Sequence, residues 1–389
     1  MSQPAAVRAE IKPYRIDVPE AEVEDLHRRL AVTRWPDVLA GAGWSYGVPL
    51  EYVKGLAEHW ATQYDWRNWE AQLNALPQFR TVIDDQDIHF VHLRSKEPDA
   101  LPLLLTHGWP GSVVELMKII EPLADPARFG GSPADAFHVV APSIPGYGFS
   151  GPTHEVGWDV KRIAAAFSEL MTRLGYSRYG TQGGDWGSVI SRQLGLVHPE
   201  QVLGSHFNTL AATPSGDPEE MRLLTDRERS FLERGQRFQQ QGSAYYMIQG
   251  SRPQTLAYGL TDSPAGLLAW ISEKFSEWAD PASVIDRDQM LTNISAYWFT
   301  ATVNSAARLY AEFGRSGSGW GKVEPSNVPT GVAQFPYEIF PPIRRFAERS
   351  NNIVHWTEFE QGGHFAAMEQ PELLIGDVRA FFRVVRRND

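Results

Sequence analysis

The chain has 389 residues, 42% of them hydrophobic and 21% charged. That is enough for a sizeable core and for roughly two to three domains, or one large domain with an insertion, and it argues against disorder. The formal charge of −11 speaks against a nucleic-acid partner, which would want a basic face, and gives no reason to expect an anionic membrane. The absence of cysteine excludes disulfides, thiolate nucleophiles and Cys-zinc sites, and is compatible with a reducing compartment.

The opening "MSQPAAVRAEIKPYRI" lacks the apolar run of a signal peptide, and clusters such as "LPLLL" fall far short of the ~20 residues of a membrane helix. A soluble, cytoplasmic protein is the expectation. Residues 17–35 begin with Pro19 among acids and carry Val23, Leu26 and Leu30 on one helical face. The tryptophan-rich "YVKGLAEHWATQYDWRNWEAQLNALPQF" continues as helix. The period then changes: "FRTVIDDQDIHFVHLR" alternates around "DDQD" and predicts a β-hairpin. "LPLLLTHGWPGS" and "FHVVAPSIPGYGFS" are buried strands that run into glycine loops. A helix follows with Val160, Ile163, Phe167, Leu170 and Leu174, stopped by Gly175. "YSRYGTQ" is a poor strand by composition and is read as one only from its neighbours. Ile190, Leu194 and Val197 mark the next helix, and "QVLGSHFNTL" the next strand. Residues 213–325 break the rhythm, helical, aromatic and polar by turns, and end in "RSGSGWGK". Strands resume with "VPTGVAQF" and "NNIVHWTEF", and Pro371 opens a final helix. Such alternation implies an α/β fold, a mostly parallel sheet covered on both faces, with the insertion over the carboxyl ends of its strands.

The chemistry centres on "TQGGDWGSVI". Gly183-Gly184-Asp185-Trp186-Gly187 has the small-x-nucleophile-x-small shape of a nucleophile elbow, with aspartate where serine is usual. The bland alternative is an aspartate capping the helix that follows. A carboxylate, however, is already ionised at neutral pH and needs no base to attack. Attack on an ester carbonyl would give a labile anhydride, whereas attack on an electrophilic sp³ carbon gives a stable ester. An epoxide or an alkyl halide is therefore the expected electrophile. The ester must then be hydrolysed, which needs a base and oxyanion donors. "EQGGHFAAMEQP" supplies His364, last in the order nucleophile, acid, histidine. Its orienting acid is Glu338 of "FPYEI", because the region of Asn208 offers no acid before Asp217, and Glu358 and Glu360 alternate toward the surface. The backbone N–H groups of Trp109, in "HGWPGS", and of Trp186 are the expected oxyanion hole, and His107 is taken as a buried brace of that loop. "GYGFSG" matches G-x-G-x-x-G but opens no helix, so no dinucleotide site is expected. No phosphate loop or metal-ligand spacing occurs.

Taken together, "HGWPGS", "PGYGFS", "GGDWGS", "FPYEI" and "GGHFAAMEQP" resemble the microsomal-type epoxide hydrolases of the α/β-hydrolase superfamily, and "WRNWEAQLNALPQF" resembles that family's N-terminal meander. The resemblance covers nearly the whole chain. It implies an α/β-hydrolase fold divided into a meander and start of sheet (1–95), a first core part (96–212), a helical lid (213–325) and a second core part (326–389). It also implies two lid tyrosines that hydrogen-bond the epoxide oxygen. "AYYMIQGSRPQT" matches the first at Tyr245 rather than Tyr246, and "TNISAYWFTATVNSAARLYAEF" matches the second at Tyr310. Mammalian members carry an N-terminal membrane anchor, which this sequence lacks, so a bacterial-type relative is implied.

The reading is an epoxide hydrolase, an ether-bond hydrolase with no cofactor and no metal. Its substrate is a small epoxide, its co-reactant is water, and homo-oligomerisation is left open. A haloalkane dehalogenase is the alternative for the same nucleophile, and a catalytically dead ligand-binding module is the alternative outside enzymes. The lid aromatics Tyr258, Trp270, Trp278, Tyr297 and Trp298 suggest an apolar or aromatic epoxide, or merely a well-packed lid.

Overall fold

The computed structural model describes residues 10–317 and 324–388, so most of the Gly/Ser-rich end of the insertion and the first nine residues lie outside the described residues. After a short strand β1 (Lys12–Tyr14) come helices α1 (Glu20–Ala31), α2 (Leu50–Thr62) and α3 (Trp66–Ala75). Helix α1 buries Val23, Leu26 and Leu30, the face its periodicity predicts, and Pro19 takes its N-cap position. Strands β2 (Gln78–Ile83) and β3 (Gln86–Leu93) form the hairpin. Its loop is only Asp84-Asp85, with φ of 52° and 59°. Aspartate tolerates this left-handed pair, whose twist matches that of the flanking strands.

The core then alternates as expected: β4 (Leu101–Thr106), α4 (Met117–Ala124), β5 (Phe137–Pro142), α5 (Val160–Arg173), β6 (Tyr179–Gly183), α6 (Asp185–Val197) and β7 (Val202–Phe207). Seven helices interrupt it: α7 (Pro218–Arg222), α8 (Asp226–Arg237), α9 (Ala244–Ser251), α10 (Pro253–Asp262), α11 (Pro264–Trp278), α12 (Arg287–Thr300) and α13 (Val303–Arg315). The sheet resumes with β8 (Ser326–Gln334), α14 (Arg344–Ala347) and β9 (Asn351–Glu358), and the chain ends in α15 (Ala366–Glu369) and α16 (Pro371–Asn388).

The nine strands of the described residues join one sheet in the order β1-β2-β3-β5-β4-β6-β7-β8-β9. The first three strands add to it antiparallel, and from β5 through β9 every pairing is parallel. The strand order reverses at β4, between β5 and β6. In open α/β sheets the crevice beyond the carboxyl ends at such a reversal is where ligands bind. The loops after β4, β6, β7, β8 and β9 all leave at that end.

The weak composition of β6 has a packing cause. Its residues are all buried, and a side chain at Gly180 would run into the ring of Phe382 on α16. Strand β6 trades propensity for close contact with a helix that is distant in sequence. The N-terminal helices clasp the insertion. Trp60, fully buried, donates from its indole nitrogen to Ser295 Oγ (3.0 Å), and Tyr64 Oη is 2.9 Å from Thr292 Oγ1. Both partners lie on α12, so the insertion is tied to the meander rather than left free. No helix among the described residues is long and apolar enough to cross a membrane.

A polar knot pins α16 to the sheet. Asp377 meets His206 Nε2 at 2.9 Å and His355 Nε2 at 2.7 Å, and accepts from the hydroxyl of Thr357 at 2.5 Å. Burial would raise the carboxyl's pKa, but these hydrogen bonds outweigh it and hold it well below the usual carboxylate range. A depressed folded pKa contributes stability that is present above the unfolded value of about 3.9 and is lost as the pH falls below it. Asp377→Asn should therefore lower stability at pH 7 by about 3 kcal/mol in denaturant titration. The gap to the wild type should shrink below about pH 4; a gap that persists unchanged in acid would refute this account.

Candidate active site

Strand β6 ends at Gly183 and α6 begins at Asp185, so the chain must turn from strand to helix within two residues. Asp185 sits in that turn at φ 50°, the left-handed region. A non-glycine residue held there is strained, and its side chain projects away from both elements. Gly184, not Asp185, occupies the N-cap of α6, which removes the capping reading of this aspartate. A Cβ at Gly187 would clash with the backbone of Thr106 at the end of β4. Glycine there lets α6 press against β4 and brings the loop after β4 over Asp185.

That loop is "HGWPGS", and its Trp109–Pro110 peptide is cis. The Trp109 N–H donates to Asp185 Oδ1 at 2.8 Å. His107 is buried and bridges the loop: its Nδ1–H donates to Gly108 O (3.1 Å) and its Nε2 accepts from Ile144 N–H (3.2 Å). Burial lowers its pKa to about 4, so it is neutral and serves as the brace the sequence suggested. Helix α12 holds the same loop from above, through Asn293 to Pro110 O (2.8 Å) and to Ser112 Oγ (2.7 Å) and through Tyr297 Oη to Gly111 O (2.7 Å).

The other carboxylate oxygen of Asp185, Oδ2, lies 3.6 Å from His364 Nε2. This is an ion-pair distance, longer than a hydrogen bond. His364 Nδ1 is 2.8 Å from Glu338 Oε1, and because a carboxylate only accepts, Nδ1 carries the proton. Glu338 is fully buried and also accepts from Thr209 Oγ1 (2.6 Å) and from the Ile339 N–H (2.7 Å). Burial would raise its pKa, but His364 and these donors outweigh burial and hold it below the ordinary value. Burial likewise works to lower the pKa of His364, and Glu338 and Asp185 on either side push it well above the ordinary value. Asp185, His364 and Glu338 thus form one connected set, drawn from three loops at the carboxyl end of the sheet.

The two lid tyrosines reach the same place from α9 and α13. The Tyr245 ring stacks on the Trp109 indole at 4.9 Å, and Tyr310 lies edge-on to Trp109 (5.9 Å), Trp186 (4.9 Å) and Tyr245 (6.0 Å). Tyr246, the neighbour passed over in the sequence, is only half-buried. Burial pushes both phenols well above their ordinary pKa. The charge of Asp185 adds to this, second in importance at Tyr245 and after Tyr245 itself at Tyr310. Both are firmly protonated donors. The seven residues singled out in the sequence therefore lie together.

Some neighbours were not legible. Thr209 supports Glu338 from the end of β7, where an acid was sought and not found. Trp278 packs against His364 (5.1 Å) and Tyr245 (5.2 Å), and its carbonyl accepts from the His364 N–H (3.0 Å). Glu115 follows the "HGWPGS" loop; burial, partly offset by His364 and reinforced by Asp185, pushes its carboxyl up to about 8. That direction favours its protonated form and so limits the negative charge at the site. Of the lid aromatics, Trp278 and Tyr297 are buried beside the site, but Tyr258 is 73% exposed. Its aromatic character says nothing about substrate. A surface groove of about 520 Å³ between the loop 33–50 and α11 contains none of the seven residues. Among the described residues no group of three or more His, Asp or Glu could hold a metal.

Comparison with known proteins agrees with this arrangement. Residues 11–116 match the family model described as epoxide hydrolase N terminus, and residues 102–280 match that of the alpha/beta hydrolase fold. A Stigmatella aurantiaca protein named "Putative epoxide hydrolase" is 46% identical over 97% of this chain and 86% of its own length. Epoxide hydrolase 1 of Sus scrofa is 34% identical over 99% of this chain and 92% of its own. The solved Aspergillus niger epoxide hydrolase superposes with a TM-score of 0.88 at 32% identity, covering 98% of both chains. A binding module or a haloalkane dehalogenase is not favoured by these relatives. The chain belongs to the microsomal-type epoxide hydrolase family, enzymes built on the α/β-hydrolase fold.

Proposed function

We propose that the enzyme opens an apolar or aromatic epoxide to a vicinal diol in two steps, through an ester on Asp185. The observation that carries this reading is the split environment of the Asp185 carboxylate. One oxygen is held by the Trp109 N–H at 2.8 Å, and the other faces His364 Nε2 at 3.6 Å. In the first step Oδ2 attacks a ring carbon, the C–O bond breaks, and its electron pair goes to the epoxide oxygen. Tyr245 and Tyr310 hydrogen-bond that oxygen, and one of them delivers the proton, becoming a phenolate.

Esterification removes the charge of Asp185, and this couples the two steps. That charge raises the pKa of both phenols and of His364. As it vanishes, the phenols become better acids just when the alkoxide needs a proton. His364 loses one of the two carboxylates that keep it protonated, releases its proton to solvent, and so becomes available as a base. In the second step His364, oriented by Glu338, takes a proton from water, and the hydroxide attacks the ester carbonyl carbon. The resulting oxyanion is Oδ1, already bound by the Trp109 N–H, with the Trp186 N–H as the second donor. Collapse expels the diol oxygen, which takes the proton of the newly formed carboxyl group, so that Asp185 returns as a carboxylate while His364 keeps the proton from water; solvent protons return the phenolate to phenol.

The test is a single turnover of styrene oxide in heavy-oxygen water, followed by peptide mass analysis. Label should enter Asp185 rather than the diol, because the ester is cleaved at its carbonyl carbon. Label in the diol alone would mean direct attack of water on the epoxide. A parallel incubation with 1-bromohexane should release no bromide; bromide release without diol formation from any epoxide would favour the dehalogenase chemistry.

A further inference from the structure

One buried charge near this site has no part in the chemistry above. Lys274, on α11, is only 4% exposed. Its ammonium lies over the Tyr245 ring, 5.3 Å from the centroid, and 5.9 Å from that of Trp278. Glu273 (2.5 Å) and Glu277 (3.0 Å) pair with it. Their side chains are 18% and 37% exposed against 5% for the lysine. The carboxylates are therefore the more exposed partners, Glu277 above all, while the cation sits inward against the phenol.

We propose that Lys274 promotes epoxide opening by stabilising the negative charge that Tyr245 acquires when it gives its proton to the leaving oxygen. The inference rests on the reading of Tyr245 as a proton donor. A cation over a neutral aromatic face is attracted only to the ring quadrupole. Once Tyr245 gives up its proton, the electron pair of the O–H bond stays on the phenolate and spreads into the ring, and the same cation meets a full charge. The interaction is stronger after proton transfer than before it, which is the condition for a rate effect rather than a binding effect. Lys274 touches no reacting atom and acts through Tyr245. Its effect belongs to ring opening; ester hydrolysis, which runs through His364, does not use it.

The test is a double-mutant cycle on single-turnover ring opening of styrene oxide, followed by the quench of intrinsic tryptophan fluorescence. Lys274→Met should slow ring opening about tenfold in the wild-type background and less than about threefold in Tyr245→Phe, where Tyr310 still donates. Ester hydrolysis should be unchanged, and Lys274→Arg should restore most of the loss. If Lys274→Met is too unstable to purify, because it leaves two carboxylates unpaired, the K274M/E273Q/E277Q variant, which removes all three charges, takes its place with the same expectation. Equal losses in both backgrounds, equal slowing of both steps, or no loss at all would overturn the role of Lys274 and leave the two-step reading intact. If Tyr245→Phe itself does not slow ring opening, the assignment of Tyr245 as donor fails, and the inference falls with it.

Discussion

Asp185→Ala should abolish diol formation, lowering kcat/KM by at least about 10⁴-fold, as losses of covalent nucleophiles do. The neighbouring acids are poor replacements: Glu338 is buried behind His364, and burial pushes the Glu115 carboxyl up to about 8, which favours its protonated form. The protein should still fold. Alanine at φ 50° adds strain of about 1–2 kcal/mol, against a typical stability of about 5–15 kcal/mol. Purified variant with native circular dichroism and no detectable diol from styrene oxide is the expected result. Diol production at a tenth of the wild-type rate or more would rule out the covalent route.

The second large effect separates the two steps. In His364→Gln the nucleophile and both phenols remain, so ring opening proceeds, but the ester meets no base. Diol formation should fall by about 10³-fold, within the range for loss of a general base. The ester should accumulate. Intact mass spectrometry after brief exposure to styrene oxide should show one adduct per chain, equal to the mass of the epoxide, on the peptide carrying Asp185. Unmodified protein together with lost activity would mean that His364 is needed for ring opening too. Steady turnover without an adduct would mean that it is not the base. Glutamine keeps much of the volume beside Trp278, so a packing defect is not expected to mimic either outcome.

Much of this site could be read before any fold was known, because strained turns demand particular residues. The glycines around Asp185 and the pair before His364 mark places where a backbone must bend sharply or approach closely, and those demands are local. Helices of the meander and of the core announced themselves by periodicity, as α1 and α5 did. The lid tyrosines were another matter. Nothing in the spacing of thirteen tyrosines distinguishes Tyr245 and Tyr310; only the family resemblance picked them out, and the fold brings both against Trp109. Thr209, Trp278 and Lys274 had no local mark at all, since Thr209 matters through Glu338, Trp278 through His364 and Lys274 through the ring of Tyr245, all distant in sequence. Strand β6 read poorly for the same reason, its glycine being dictated by Phe382 on the last helix.

The sequence by itself determined the alternation of strands and helices, the carboxylate at the elbow and the order of acid and histidine, because these follow from local periodicity, turn chemistry and chain order. Only the tertiary structure decided which of two neighbouring tyrosines is buried, which lid aromatics face inward, and how the charges of Asp185, His364 and Glu338 shift one another. Those properties arise from distances between segments far apart in the chain and from the desolvation they share, and no stretch of residues carries them alone.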